Sequence, residues 1–396
     1  MSKPNKAKLQ QQQKKGKKSG NTTTTTTTTN AKKELTSEEY IQQGEKYASQ
    51  YHFDKALISF ENALKLDETN TLVMDIIGEI LVENGDLEKA KTYFFKSIQT
   101  DPEDSASKYM NLGQLVGGDD ALKCYRKGIE LMERDLNKII KEFGSKYNDL
   151  EHIPRPLKST GDDDEIYESD EDDPIIILKQ QLCSALCSIS ELYLTDQCFD
   201  DDAEEQCEIS LKKAIAYSPN SPEPYSLMAS MKISQVKNQE AVEYLNKSYQ
   251  LWENSDVDDR PEFDYRFNIS LLFIELKEDR TAVDILEQLV NEQDNIAELW
   301  YTLGVVYNNL QEPLSAQECL ITAKELLKIA APQGRDEELE QLTNTLLKKV
   351  KIDVSKLSPE EIEAFNNEND DDNNNNNGET VEEEDLEEIE GEEMDE

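Results

Sequence analysis

Aspartate and glutamate recur along this 396-residue chain at spacings that set them on one side of successive helices: Glu38 and Glu45, then Asp75, Glu79 and Glu83, then Glu191, Glu223, Asp264, Glu275 and Glu298. Two aromatics, Phe267 and Tyr301, fall in the same register. Carboxylates so placed accept charge-assisted hydrogen bonds from ammonium and guanidinium groups, and the rings offer an apolar or cation–π seat. That chemistry holds a basic chain; it does not transform a substrate. No phosphate-cradling glycine loop, nucleophile elbow or paired catalytic constellation accompanies it. The chain is therefore not expected to be an enzyme, and no cofactor is implied. Cys183, Cys187, Cys198 and Cys207 match no common zinc spacing, and the chain has two histidines, His52 and His152. No metal is expected, and Cys207 reads as a packing residue.

Charge points the same way. Eighty-five acidic residues face 42 basic ones, a formal net charge of −43. Such a surface repels nucleic acid and anionic lipid and speeds the capture of basic proteins. Neither direct nucleic-acid binding nor a membrane is expected, since no apolar run approaches the ~18 residues of a membrane helix. With no apolar run in the first 33 residues, a secretory signal is not expected either, and the cysteines are read as reduced inside the cell. Residues 1–33 form a low-complexity tail with nine lysines, no acid and a run of eight threonines. Residues 359–396 hold nineteen acids and no base; without these two segments, the middle of the chain still carries −33. Asp162 to Asp173 adds nine acids in twelve positions. The expected organisation is a disordered lysine-rich tail at 1–33, helical units at 34–143, a disordered acidic loop at 144–174, further units with a capping helix at 175–351, and a disordered acidic tail at 352–396.

The elements that must position these carboxylates follow a fixed period. Trp300, Leu303, Gly304, Tyr307, Ala316, Leu320 and Ala323 carry the pattern of a tetratricopeptide repeat at that family's spacing. Thirty-four residues earlier stand Ile269, Ser270, Phe273, Ala282, Leu286 and Leu289. Tyr40, Gly44, Tyr47, Ala56, Phe60 and Ala63 open the series, and Met74, Ile77, Gly78, Leu81, Ala90, Phe94, Ser97 and Pro102 follow. A third unit, from Tyr109 to Gly128, is four residues short at its turn. A fourth, from Leu186 to Pro219, is five long; in the fifth, Lys232 replaces an aromatic. The fold class is all-α, with no alternating strand pattern: about seven repeats of two helices, stacked as a right-handed superhelix (an α-solenoid). Leu339, Leu342, Leu346 and Val350 mark a capping helix, and Leu136 to Phe143 prolong the third unit's second helix. In Asn84-Gly85-Asp86, Gly85 suits a left-handed helix end and Asp86 a cap.

In this repeat, positions 2, 5, 9 and 13 of each first helix face a concave groove. Across the six first helices mapped, those positions contain no lysine or arginine. Pairs such as Asp75/Glu79 stand where a clamp for acidic chaperone C-termini needs bases, which excludes that role. The expected ligand is an extended or helical segment rich in Lys and Arg. The run KKGKK at 14–18 fits either a contact for a nuclear import receptor or a solubilising tail.

The layout of a lysine-containing N-terminal tail, seven repeats, an acidic body and an acidic C-terminal tail resembles the tetratricopeptide assembly chaperones of large-subunit ribosomal protein number four. The resemblance implies capture of the newly made basic ribosomal protein, its escort from cytoplasm to nucleus, and release onto pre-ribosomal particles. A scaffold subunit of a multi-protein complex and a histone chaperone are the alternatives that the charge and the repeats leave open.

Overall fold

The computed structural model describes residues 35–143, 173–329, 336–363 and 365. The lysine-rich tail with KKGKK, most of the acidic loop and residues 366–396 lie outside the described residues. Among those described there are helices and turns and no strand.

Seven helix pairs follow one another: α1 (Ser37–Ala48) with α2 (Phe53–Leu66), α3 (Thr71–Glu83) with α4 (Leu87–Thr100), α5 (Ser107–Leu115) with α6 (Gly118–Phe143), α7 (Pro174–Leu194) with α8 (Ala203–Tyr217), α9 (Glu223–Ser234) with α10 (Asn238–Gln250), α11 (Phe263–Glu275) with α12 (Asp279–Glu292), and α13 (Ala297–Asn309) with α14 (Pro313–Ile329). A further helix, α15 (Glu337–Val354), follows. The chain divides into two compact units, one ending at Ser255 and one beginning at Asp256.

Local chemistry sets the helix starts. Thr36 and Glu39 close a reciprocal capping box on α1. Asn70 caps α3, and Asp173 followed by Pro174 opens α7. Gly85 takes a φ of +76° between α3 and α4, as its lack of a Cβ allows. Asp86 occupies the cap position of α4 but makes no capping bond; its carboxylate pairs with Lys89 instead. At the equivalent turns of the first, fifth, sixth and seventh pairs, Tyr51, Val236, Lys277 and Gln311 take positive φ values although none is glycine.

Among the described residues of the first unit, apolar side chains gather in clusters. Ala56, Phe60, Met74, Ile77, Ala90 and Phe94 belong to the one that joins α2, α3 and α4. Gly78 lets helices touch: a Cβ there would lie 2.6 Å from the Phe94 ring. A second cluster runs from α6 to α9 and includes Ile129, Met132, Leu136, Ile175, Leu182 and Leu211. It accounts for the 26 residues of α6 and the 21 of α7, whose extra turns pack on each other. By length and composition α7 is apolar enough to cross a membrane, which the expected absence of such a stretch overlooked. Its apolar residues Ile175, Leu182, Leu186 and Ile189 are instead taken up by this core.

The odd turn lengths of the third and fourth pairs fit each other. The Gly118 amide donates to Asp196 Oδ2 at 3.3 Å. A Cβ on Gly117 would meet that same oxygen at 3.5 Å. The long turn after α7 thus lies over the short one after α5. In the second unit, Ala316 and Leu320 of α14 pack on Leu347 and Val350 of α15. The capping helix therefore turns Thr343, Leu347 and Val350 inward, whereas Leu342, expected on the inner face, is 46% exposed. It also runs three residues past the boundary expected at 351.

Candidate partner-binding face

Helical geometry puts residues four apart on one side of a first helix, and the structure shows how differently those positions are used. On α1, Glu38 is exposed and Glu45 half-buried, with its carboxyl raised above the usual range by desolvation. On α3, Glu79 and Glu83 stand in solvent, and Asn111 of α5 donates to Glu79 at 3.2 Å. Asp75, in the same register, is only 7% exposed. Burial pushes its carboxyl up to about 6. The Ser97 hydroxyl and Lys108 pull the other way, and Asp104 and Glu79 add to the rise. Ser97 faces the carboxylate without reaching hydrogen-bond geometry, so Asp75 Oδ1 and Ser97 Oγ are both buried and unpartnered. The Lys108 ammonium itself bonds Asp104 and the Asp101 carbonyl.

Glu191 of α7 and Glu223 of α9 come together across two repeats. Burial, and then the Glu191 charge, raise the Glu223 carboxyl to about 7. Glu191 is exposed at the surface, yet desolvation raises its carboxyl too. A pocket of about 280 Å³ opens beside Glu223. Gln180, Cys183 and Ser184 line it from α7, and Ser218, Asn220 and Ser221 from the α8–α9 turn. In the second unit, Asp264, Glu275 and Glu298 are exposed, while Phe267 and Tyr301 are half-buried. Tyr301 packs against the cluster of α14 and α15.

Register alone identified the exposed carboxylates. The partners in the pocket, Gln180, Ser218, Asn220 and Ser221, escaped it, because they sit on the prolonged start of α7 and in a turn. Also unforeseen were cations sunk in the repeats. Lys108 is fully buried, Lys232 lies 3.6 Å from Glu208 and 3.7 Å from Glu240, and Arg266 forks onto Glu292 with two 2.6 Å contacts. The Arg266 fork also donates to the Pro261 carbonyl at 2.8 Å. Lys232, which departs from the aromatic pattern, thus has acidic partners inside a complete fifth pair. Cys183, Cys187 and Cys207 are buried thiols, and Cys198 is exposed. Burial pushes Cys207 up to about 11 and Cys319 up to about 12, as suits packing residues. Among the described residues no three His, Cys, Asp or Glu side chains converge as metal ligands do.

Known proteins share this architecture. A family model described as tetratricopeptide repeat matches residues 73–104, which span α3 and α4. The chain is 29% identical over 305 residues to the "Probable assembly chaperone of rpl4" of Schizosaccharomyces pombe, covering 74% of this chain and 80% of that one. It is 25% identical over 267 residues to the protein of the same name from Emericella nidulans, covering 63% of this chain and 59% of the relative. Among solved structures, "Assembly Chaperone of RpL4 (Acl4) (Residues 1-338)" superposes with a TM-score of 0.61 at 25% identity, over 70% of this chain and 98% of that one. The chain has the tetratricopeptide-repeat fold, and over most of its length it is similar to the assembly chaperones of rpl4.

Proposed function

We propose that this protein is a dedicated, non-catalytic chaperone of a newly made ribosomal protein, large-subunit protein number four, and that it holds a basic segment of that client against the acidic face of its first helices. The observation that carries the reading is that the first helices of each unit expose carboxylates at these positions, Glu38, Glu79 and Glu83 in the first and Asp264, Glu275 and Glu298 in the second, with no base at the mapped positions, in a chain similar to proteins named for that client. A ribosomal protein's basic extension has no compact fold until RNA neutralises it, and acidic side chains in its path replace the RNA phosphates meanwhile. Escort into the nucleus, with KKGKK at 14–18 as the contact for an import receptor, belongs to the same proposal.

The test is a pull-down from cell extract followed by binding to the purified client. One stoichiometric basic ribosomal protein is expected. Affinity should fall steeply with salt and by about tenfold or more when the exposed Glu79 and Glu83 are both reversed to lysine. A set of large-complex subunits, preference for histones in competition, or salt-insensitive binding unchanged by the reversal would overturn the reading.

A further inference from the structure

We propose that the pocket between α7 and the α8–α9 turn is an anchor site for a single arginine side chain of the basic client. The inference rests on the function proposed above and names what one part of that face selects.

At about 280 Å³ the pocket lies at the small end of ligand sites. It suits one side chain, not a folded motif. Its walls offer acceptors at several angles: the Glu223 carboxylate, the side-chain carbonyls of Gln180 and Asn220, and the hydroxyls of Ser184, Ser218 and Ser221. No basic side chain lines it. Guanidinium carries five donors in a planar fork that engages a carboxylate through two bonds and leaves three donors for neutral acceptors. Ammonium presents three donors from a point and leaves more of this wall unused.

The pocket carboxylate Glu223 and its neighbour Glu191 also differ from the paired carboxylates of the same unit. Glu103 meets Lys127 and Arg134, Glu133 meets Lys213, and Glu208 meets Lys212 and Lys232. Among the described residues no cation pairs with Glu191 or Glu223. The titratable groups that face Glu223 are Glu191, Cys183 and Cys187, all on α7. The α8–α9 turn adds only neutral groups. Glu223 therefore holds a proton for part of the time near neutrality. Seating a guanidinium favours the ionised form, so binding expels that proton and strengthens as pH rises from 6 to 8.

The experiment uses the full chain and two fluorescent peptides, nine lysines and the same peptide with its central lysine replaced by arginine. Affinity is read by anisotropy at pH 6 and pH 8. The arginine peptide is expected to bind about tenfold tighter at pH 8, with the preference shrinking at pH 6. Glu223→Gln removes the charge, and Ser184→Phe fills the pocket while leaving every carboxylate in place. Each should abolish the preference, and Ser184→Phe should change nine-lysine binding less than about threefold; circular dichroism checks that both fold. Nine-lysine binding without an arginine preference, or a preference surviving in either variant, overturns the pocket and leaves the acidic face standing. Failure of both peptides to bind overturns the acidic face and the pocket with it.

Discussion

The second repeat and the junction of the fourth with the fifth build one face by two routes. In the second repeat, α3 and α4 keep the regular 34-residue plan; Glu79 and Glu83 point to solvent, and Asp75 sinks beside Ser97. At the junction, a prolonged α7 and the turn before α9 wrap polar groups around Glu223. Regular spacing yields a row of separate charges, and irregular lengths yield a shallow, half-open pocket. Repeat register thus tells which side a residue faces, while helix and turn lengths decide how deeply it sits.

The largest expected effect tests whether both regions share one core plan. Phe94→Ala in the second repeat should cost about 3–5 kcal/mol and Leu211→Ala in the fourth about 2–5 kcal/mol, measured by denaturant unfolding. Both side chains are fully buried. A near-neutral Leu211→Ala would show that the junction does not depend on the repeat core.

The next effect separates the buried acids. Burial pushes the Asp75 carboxyl up to about 6 from its ordinary 3.8, so its neutral form favours the fold. Its ionisation costs nothing below pH 4, and the cost grows to its full value above pH 6. Asp75→Asn should therefore raise stability at pH 7.5 by up to about 3 kcal/mol and change little at pH 4. It should also weaken capture of a basic peptide. Equal gains at both pH values would mean that charge is not the cause.

Smaller differences concern backbone contacts. Gly78→Ala should cost about 1–2 kcal/mol, because the methyl group meets the locked Phe94 ring at 2.6 Å. Gly128→Ala should be nearly neutral even though a Cβ there would lie closer still to Met110 Cε, since a methionine end swings aside. A larger loss at Gly128 would show that Met110 is held fast. The smallest effect contrasts Gly85 with Val236, which has a φ of +60° at the equivalent turn of the fifth repeat. Val236→Gly should raise the melting temperature, corresponding to about 0.5–1 kcal/mol.

Much of the fold was legible because the repeat fixes residue types at contacts that no other type satisfies. Gly78 against Phe94 and Gly304 against Leu320 are such contacts, and Trp300 to Ala323 showed the same spacing in the sequence. The capping helix was legible as a helix, but its inward face was not, since Leu342 and Leu347 are equally apolar and tertiary packing chose between them. For the face itself, register located Glu79, Glu83 and Glu298. It could not show that Asp75 is buried, because that depends on Ser97, Asp104 and Lys108, which come from other helices and the turn between them. Nor could it show the pocket, which needs Gln180 and Asn220 forty residues apart.

The fit of the short turn after α5 under the long turn after α7 bears on design. A stacked array is ordinarily modular, so that one unit can be exchanged for a consensus unit. These two cannot be exchanged one at a time. Restoring the third repeat to standard length would drive its turn into Asp196, and trimming the fourth would strip the Gly118 amide of its acceptor. The short turn and the long turn form one coupled feature, and any shuffled or grafted version of this chain must carry them together.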